Sequence, residues 1–136
     1  MRMKQTAAAA IAALALLGLS ACGGEQSVEE ACKIAQSTVE SAQTDIQSSM
    51  SDPTNIEGVT EGLKKASDAV GDAEDKVTNK EVKTALDEFG NALDSFTDLF
   101  DGVKDPTELA DKTDEMNKVS ADISASSEKL SSLCKA

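Results

Sequence analysis

The chain has 136 residues, enough for one domain, and 25 acidic against 13 basic side chains give it a net charge of −12 at neutral pH. That charge excludes nucleic acid as a partner and opposes adhesion to anionic lipid head groups, since both are negative themselves. There is no His, Trp or Tyr and there are only three Cys, so a Ser or Thr nucleophile would need a Lys base, and no motif places one.

The first element in chain order is a segment with Arg2 and Lys4, an apolar run from Ala7 to Leu19, and then small residues. A positive start, a short apolar stretch and a small-residue end are the layout of a secretory signal peptide. The run covers 13 residues, well short of the ~20 needed to span a bilayer as a helix. A cleaved leader is therefore expected rather than a transmembrane anchor.

The segment closes on Leu19-Ser20-Ala21-Cys22. This resembles the lipobox of bacterial lipoproteins, in which Leu, a small residue, and Ala or Gly precede an obligatory Cys. The resemblance covers residues 1 to 24 or so and implies cleavage before Cys22, diacylglycerol on its sulfur and acylation of its new amino group. Two or three acyl chains would anchor the protein stably in a membrane, where a single chain is marginal. Residue 23 is Gly rather than Asp, which fits the outer membrane of a Gram-negative cell or the outer face of a Gram-positive plasma membrane. Residues 1–21 are then signal peptide, residues 22–26 the lipidated Cys and a flexible tether, and residues 27–136 the folded domain. Removing Arg2 and Lys4 leaves 11 lysines against 25 acids, so the mature chain is more acidic still, at −14.

Assigning Cys22 to lipid leaves Cys32 and Cys134, one near each end of an exported domain. They read as one disulfide. Two buried free thiols remain the alternative, and a metal pair is disfavoured because no His is available to complete it.

Four amphipathic helices follow. Ser27 and Glu30 form a capping box ahead of the stripe Val28, Cys32, Ala35, Val39, Ala42, Ile46 and Met50, whose spacings of 3 and 4 define one helix face. Asp52-Pro53 reads as an N-cap and first helical residue for the stripe Ile56, Val59, Leu63, Ala66, Val70, Ala73 and Val77. Gly58, Gly62 and Gly71 interrupt that helix at up to ~1 kcal/mol each. Gly58 and Gly62 lie one turn apart and would also suit a close helix approach, but plain weakening is the favoured reading.

Thr78 and Glu81 form a second capping-box pattern before Val82, Leu86, Phe89, Leu93, Phe96, Phe100 and Val103, a stripe that holds all three Phe of the chain. It should be the most buried helix. Asp105-Pro106, with Glu108 placed to close a box, opens the last and weakest stripe: Leu109, Met116, Val119, Ile123, Leu130 and Leu133. Tight turns between long helices make neighbours antiparallel. The expected fold is all-α, an up-down-up-down four-helix bundle closed by one disulfide. Leu, Ile, Val and Phe supply only 22 of the 115 residues from Cys22 onward, so the core must be thin and Ala-rich, and a cross-link matters more.

No cofactor or metal is expected. The Glu-x-x-His motif of di-iron bundles is absent. Asp98, Asp101 and Asp105 cluster near a turn without forming an EF-hand loop. The carboxylate groups Asp72/Glu74/Asp75, Asp87/Glu88 and Asp111/Asp114/Glu115 read as a solvated face.

The sequence thus points to a non-enzymatic envelope lipoprotein, a structural or protein-interaction module. It would face outside the cytoplasm, and its partner would be an envelope, phage or host protein. The Asp52-Pro53 and Asp105-Pro106 turns at the membrane-distal end are the candidate partner surfaces. The alternative is a carrier of lipid or a small apolar ligand on a face lined by Phe89, Phe96 and Phe100, a set that more simply reads as core.

Overall fold

The computed structural model describes residues 24–135, which form four α-helices and one 3₁₀ helix, with no strand among the described residues. The helices are α1 (Val28–Ser49), α2 (Ile56–Lys76), α3 (Lys80–Phe100) and α4 (Thr113–Lys135), and the 3₁₀ helix Pro106–Lys112 leads into α4. The fold is all-α, as the stripes require. No described helix is long and apolar enough to cross a membrane. The leader-like segment, the lipobox and Cys22 lie outside the described residues.

The helix starts follow local chemistry, with three departures from expectation. Ser27 and Glu30 form their capping box: the Ser27 hydroxyl accepts from the Glu30 N–H at 3.2 Å, and the Glu30 carboxylate accepts from the Ser27 N–H at 3.2 Å. Asp52 does not cap α2. Its carboxylate turns to the nearest donors after Pro53, the Thr54 N–H at 3.2 Å and the Thr54 hydroxyl at 2.6 Å, and the cap falls to Asn55, which accepts from Gly58 N–H at 3.0 Å. Thr54 puts two donors, its N–H and its hydroxyl, within reach of the Asp52 carboxylate, and they draw it into a side-chain turn instead of a cap for α2.

Asp105 does the same, accepting from the Thr107 N–H at 2.9 Å and its hydroxyl at 2.8 Å, and the segment it caps is the 3₁₀ helix rather than α4 itself. Glu108 closes no box; its backbone N–H reaches the Asp105 carbonyl at 3.0 Å. At α3 the cap is Asn79, which accepts from the Val82 N–H at 3.2 Å. Thr78 is left with its hydroxyl free for another role. α3 stops before Gly102, whose φ of +75° is a left-handed conformation that glycine adopts without strain.

All seven residues of the second stripe are buried, and so are six of the seven on the third, Val103 being half-buried. α3 is the most buried helix because it packs on both α2 and α4. On α1, Cys32, Ala35 and Ala42 are buried, whereas the stripe ends, Val28 and Met50, are exposed. α4 buries only Ser126 and Leu130. The buried residues form two clusters. One joins Cys32, Ala35, Val70, Leu86, Phe89, Leu93 and Leu130. The other joins Ile56, Val59, Leu63, Phe96 and Phe100, with Ile46, Leu109, Met116 and Val119 packed against it.

Alanines from α1 and α2 fill much of the first cluster, which lets those two helices approach closely. At one point the contact involves no side chain of α2 at all. Gly62 is buried, and the Ser49 side chain occupies the space its Cβ would need. Gly62 is thus a helix-contact residue rather than a simple weak point in α2.

Candidate functional site

The residues singled out from the sequence separate into two regions. The first is built around the disulfide. Cys32, in the second turn of α1, is bonded to Cys134, in the last turn of α4, with their Cα atoms 5.3 Å apart. Cys32 is almost fully covered and Cys134 half-buried. The bond closes a loop of 102 residues and ties the weakly packed α4 to α1.

Beside the disulfide, the residues expected to lie in a free tether are held in place. The Gln26 N–H donates to the Thr78 hydroxyl at 2.8 Å, and its carbonyl accepts from Asn79 Nδ2 at 3.2 Å. The Gln26 side-chain amide donates to the Lys76 carbonyl at 3.0 Å and accepts from the Thr78 N–H at 3.0 Å. The Glu25 carboxylate accepts from the Lys80 N–H at 2.6 Å. These bonds satisfy orphan backbone groups at the end of α2 and the start of α3, which is why the α2–α3 turn needs no longer connection. They also fix Glu25 and Gln26 against the α2–α3 turn.

Two open troughs flank this region. The larger, of about 880 Å³, is lined by Val28, Lys80, Thr84, Lys129, Ser132 and Leu133, among others. The smaller, of about 520 Å³, shares Val28 and Leu133 and runs past Cys32, Lys33, Gln36 and Cys134. Lys129 is held at the side of the larger trough by the Glu88 carboxylate, donating to both oxygens at 2.7 and 2.8 Å.

The second region contains the two turns. Asp52, Pro53, Asp105 and Pro106 are all exposed. The tripeptide Asp-Pro-Thr occurs in both turns and folds the same way in each. Hydrogen bonds from Thr54, the hydroxyl foremost, hold the Asp52 carboxyl below its ordinary range. The Thr107 N–H and then its hydroxyl do the same for Asp105. Behind the turns, Ile56 and Leu109 pack into the same core cluster, and the Lys112 ammonium donates to the Leu99 carbonyl at 3.0 Å, holding the 3₁₀ helix against the end of α3.

Phe89 lies in the first core cluster, Phe96 and Phe100 in the second. Phe96 and Phe100 meet edge to face with ring centroids 5.3 Å apart. The three rings are 2–8% exposed, so a ligand on that face would first have to displace a packed helix. Between α2 and α3, the Glu74 carboxyl is pushed above its ordinary range by burial and then by Asp87, with Asp75 and Asp94 adding and Lys83 opposing. Asp94 accepts a hydrogen bond from Ser67. No group of carboxylates and thiols among the described residues is arranged to hold a metal ion.

Sequence reasoning passed over the Gln26 contacts and the Val28 trough. Gln26 carries no local signal, because its partners lie 50 or more residues away. Val28 sits in phase with the core stripe, yet it is exposed. Comparison with protein-family models, curated proteins and solved structures finds no match to this chain.

Proposed function

We propose that this chain is the precursor of a bacterial lipoprotein, anchored by acyl chains on Cys22 in the cell membrane or outer membrane and facing away from the cytoplasm. Its helices form an antiparallel up-down-up-down bundle that serves as a non-enzymatic protein-interaction or envelope structural module. The observation that carries the reading is the Cys32–Cys134 pair. A disulfide persists in exported proteins and is rare in the cytoplasm, and this one lies beside the end of the chain that leads to Cys22.

Support for the bundle topology comes from contacts at both ends. Cys32 near the start of α1 is bonded to the end of α4, and Gln26 binds the α2–α3 turn. Ile46, Ile56, Phe100 and Leu109 share the opposite cluster. On this topology the Asp52-Pro53 and Asp105-Pro106 turns are membrane-distal, exposed and charged, and they are where an envelope, phage or host protein would dock. The non-enzymatic reading rests on the missing His and Tyr and on the engagement of both remaining thiols.

Two measurements test the reading. Cells fed a labelled palmitate should transfer label to the wild-type chain and none to Cys22→Ser, with the variant moving from the membrane to the soluble fraction. An unlabelled wild-type protein would sink the anchoring claim. Pull-down from gently solubilised membranes should recover a stoichiometric partner that is lost from an Asp52→Asn/Asp105→Asn variant. Equal recovery by both baits would remove the turns from the interface.

A further inference from the structure

Val28 opens the apolar stripe of α1 yet is 37% exposed. With Leu133 it lines the larger trough, alongside Glu81, Thr84, Ser132 and the lysines Lys80 and Lys129. Lysines of this kind cover apolar surface while their ammonium groups stay in water. The Lys129 ammonium is committed to Glu88. The exposed lining of the trough is mainly apolar, so it suits a flexible aliphatic chain better than a polar metabolite.

The path of the main chain brings such a chain to it. Glu25 is fixed to the backbone N–H of Lys80, and Lys80 is itself part of the trough wall. Cys22 is three residues before Glu25, so the extended backbone between them spans at most about 10 Å. Whatever is attached to Cys22 therefore starts within about 10 Å of the Glu25 backbone.

We infer that the trough takes up one acyl chain carried by Cys22. The inference rests on the lipidation put forward above. One chain lies along Val28, Thr84 and Leu133, while the remaining chain or chains stay in the bilayer. The disulfide end of the domain is thereby held against the lipid surface. Glu25 and Gln26, which lead the chain to the trough, play no part in burying the core.

The experiment uses the full chain in cells fed a palmitate analogue with a diazirine near mid-chain. After irradiation of the membranes, the purified protein is digested and its cross-links mapped. Cross-links within the molecule at residues 28–33, 80–84 and 129–134 are the expected result. In Val28→Asp they should fall at least fivefold. Val28→Asp is a fair probe because its site is exposed and an acid in the first helical turn is favourable, so its melting temperature should match wild type. A labelled Cys22 whose cross-links fall only on bilayer lipid, or evenly over all helices, overturns the trough and leaves the anchor standing. Absence of label from Cys22 overturns both.

Discussion

Gly62 offers the sharpest test of the packing, because the structure and simple helix propensity predict opposite signs for Gly62→Ala. A Cβ built on Gly62 would lie 1.5 Å from the Ser49 hydroxyl oxygen, 2.5 Å from the Ser49 Cβ and 3.4 Å from the Asp45 carbonyl oxygen. Rotating the hydroxyl relieves the first contact. It leaves the second, because the Ser49 Cβ is fixed by the backbone of α1. Carbon atoms settle near 3.5–4 Å apart, so α1 and α2 would have to part by about 1 Å where they meet. Overpacking of that kind costs about 1–3 kcal/mol, against a helix-propensity gain of up to ~1 kcal/mol for replacing Gly.

The net expectation is a loss of about 1–2 kcal/mol, or a melting temperature lower by about 4–8 °C for a domain of this size. Gly71→Ala is the control. It sits on the same helix, is exposed, and its Cβ would meet nothing within 4 Å, so it should be stabilising by up to ~1 kcal/mol. Adding Ser49→Gly to Gly62→Ala should recover most of the packing loss, since it removes the clashing carbon, though at a small propensity cost. Thermal and urea unfolding of wild type and the three variants would decide the matter. If Gly62→Ala stabilises as much as Gly71→Ala, the close approach of α1 and α2 at this point is refuted.

Cys134→Ser opens a loop of 102 residues, for which chain entropy gives a loss of about 4–5 kcal/mol. The melting temperature should fall by more than ~10 °C, or the chain should keep its helical circular dichroism without a cooperative melt, and equal melts of oxidised and reduced protein would contradict this. Gln26→Ala removes the acceptor of the Thr78 N–H and the donor to the Lys76 carbonyl. It should speed hydrogen exchange at Thr78 and cost about 1 kcal/mol, while exchange in the middle of α3 changes little. The pH dependence of Glu74 follows from its raised folded-state pKa: below its ordinary 4.5 both states are protonated and no penalty exists. As pH climbs past 4.5 through the raised folded value, the folded protein is progressively destabilised. Glu74→Gln should therefore melt slightly above wild type at pH 7 and together with it near pH 4, a trend opposite in sign to that of Asp52 and Asp105. Their lowered pKa values stabilise the fold above the ordinary 3.8, an effect lost as pH falls through the folded values.

The helices were legible because helix formation leaves a periodic trace. The second stripe, Ile56 to Val77, is buried at every position, and the third is buried from Val82 to Phe100. The weak fourth stripe corresponds to a helix with two buried residues. The starts were less legible. Asp-Pro suits both a helix N-terminus and a side-chain turn, and the Thr after each Pro decides for the turn by offering two donors to the carboxylate. Asn55 and Asn79 then cap helices whose apolar phase begins one or three residues later.

For the candidate site, the Cys32–Cys134 pair was readable from cysteine count and position. The trough and the Gln26 contacts were not, because each joins residues 50 or more positions apart. Sequence alone determined that four amphipathic helices form and that two cysteines stand where their ends can meet, since periodicity and capping act within a few residues. Tertiary structure decided what a given residue of a stripe touches. It left Val28 in the open and set Gly62 against Ser49. It bound Glu25 and Gln26, expected to lie in a free tether, to the α2–α3 turn. Those outcomes depend on how closely and at what offset the helices pack, which no local pattern encodes.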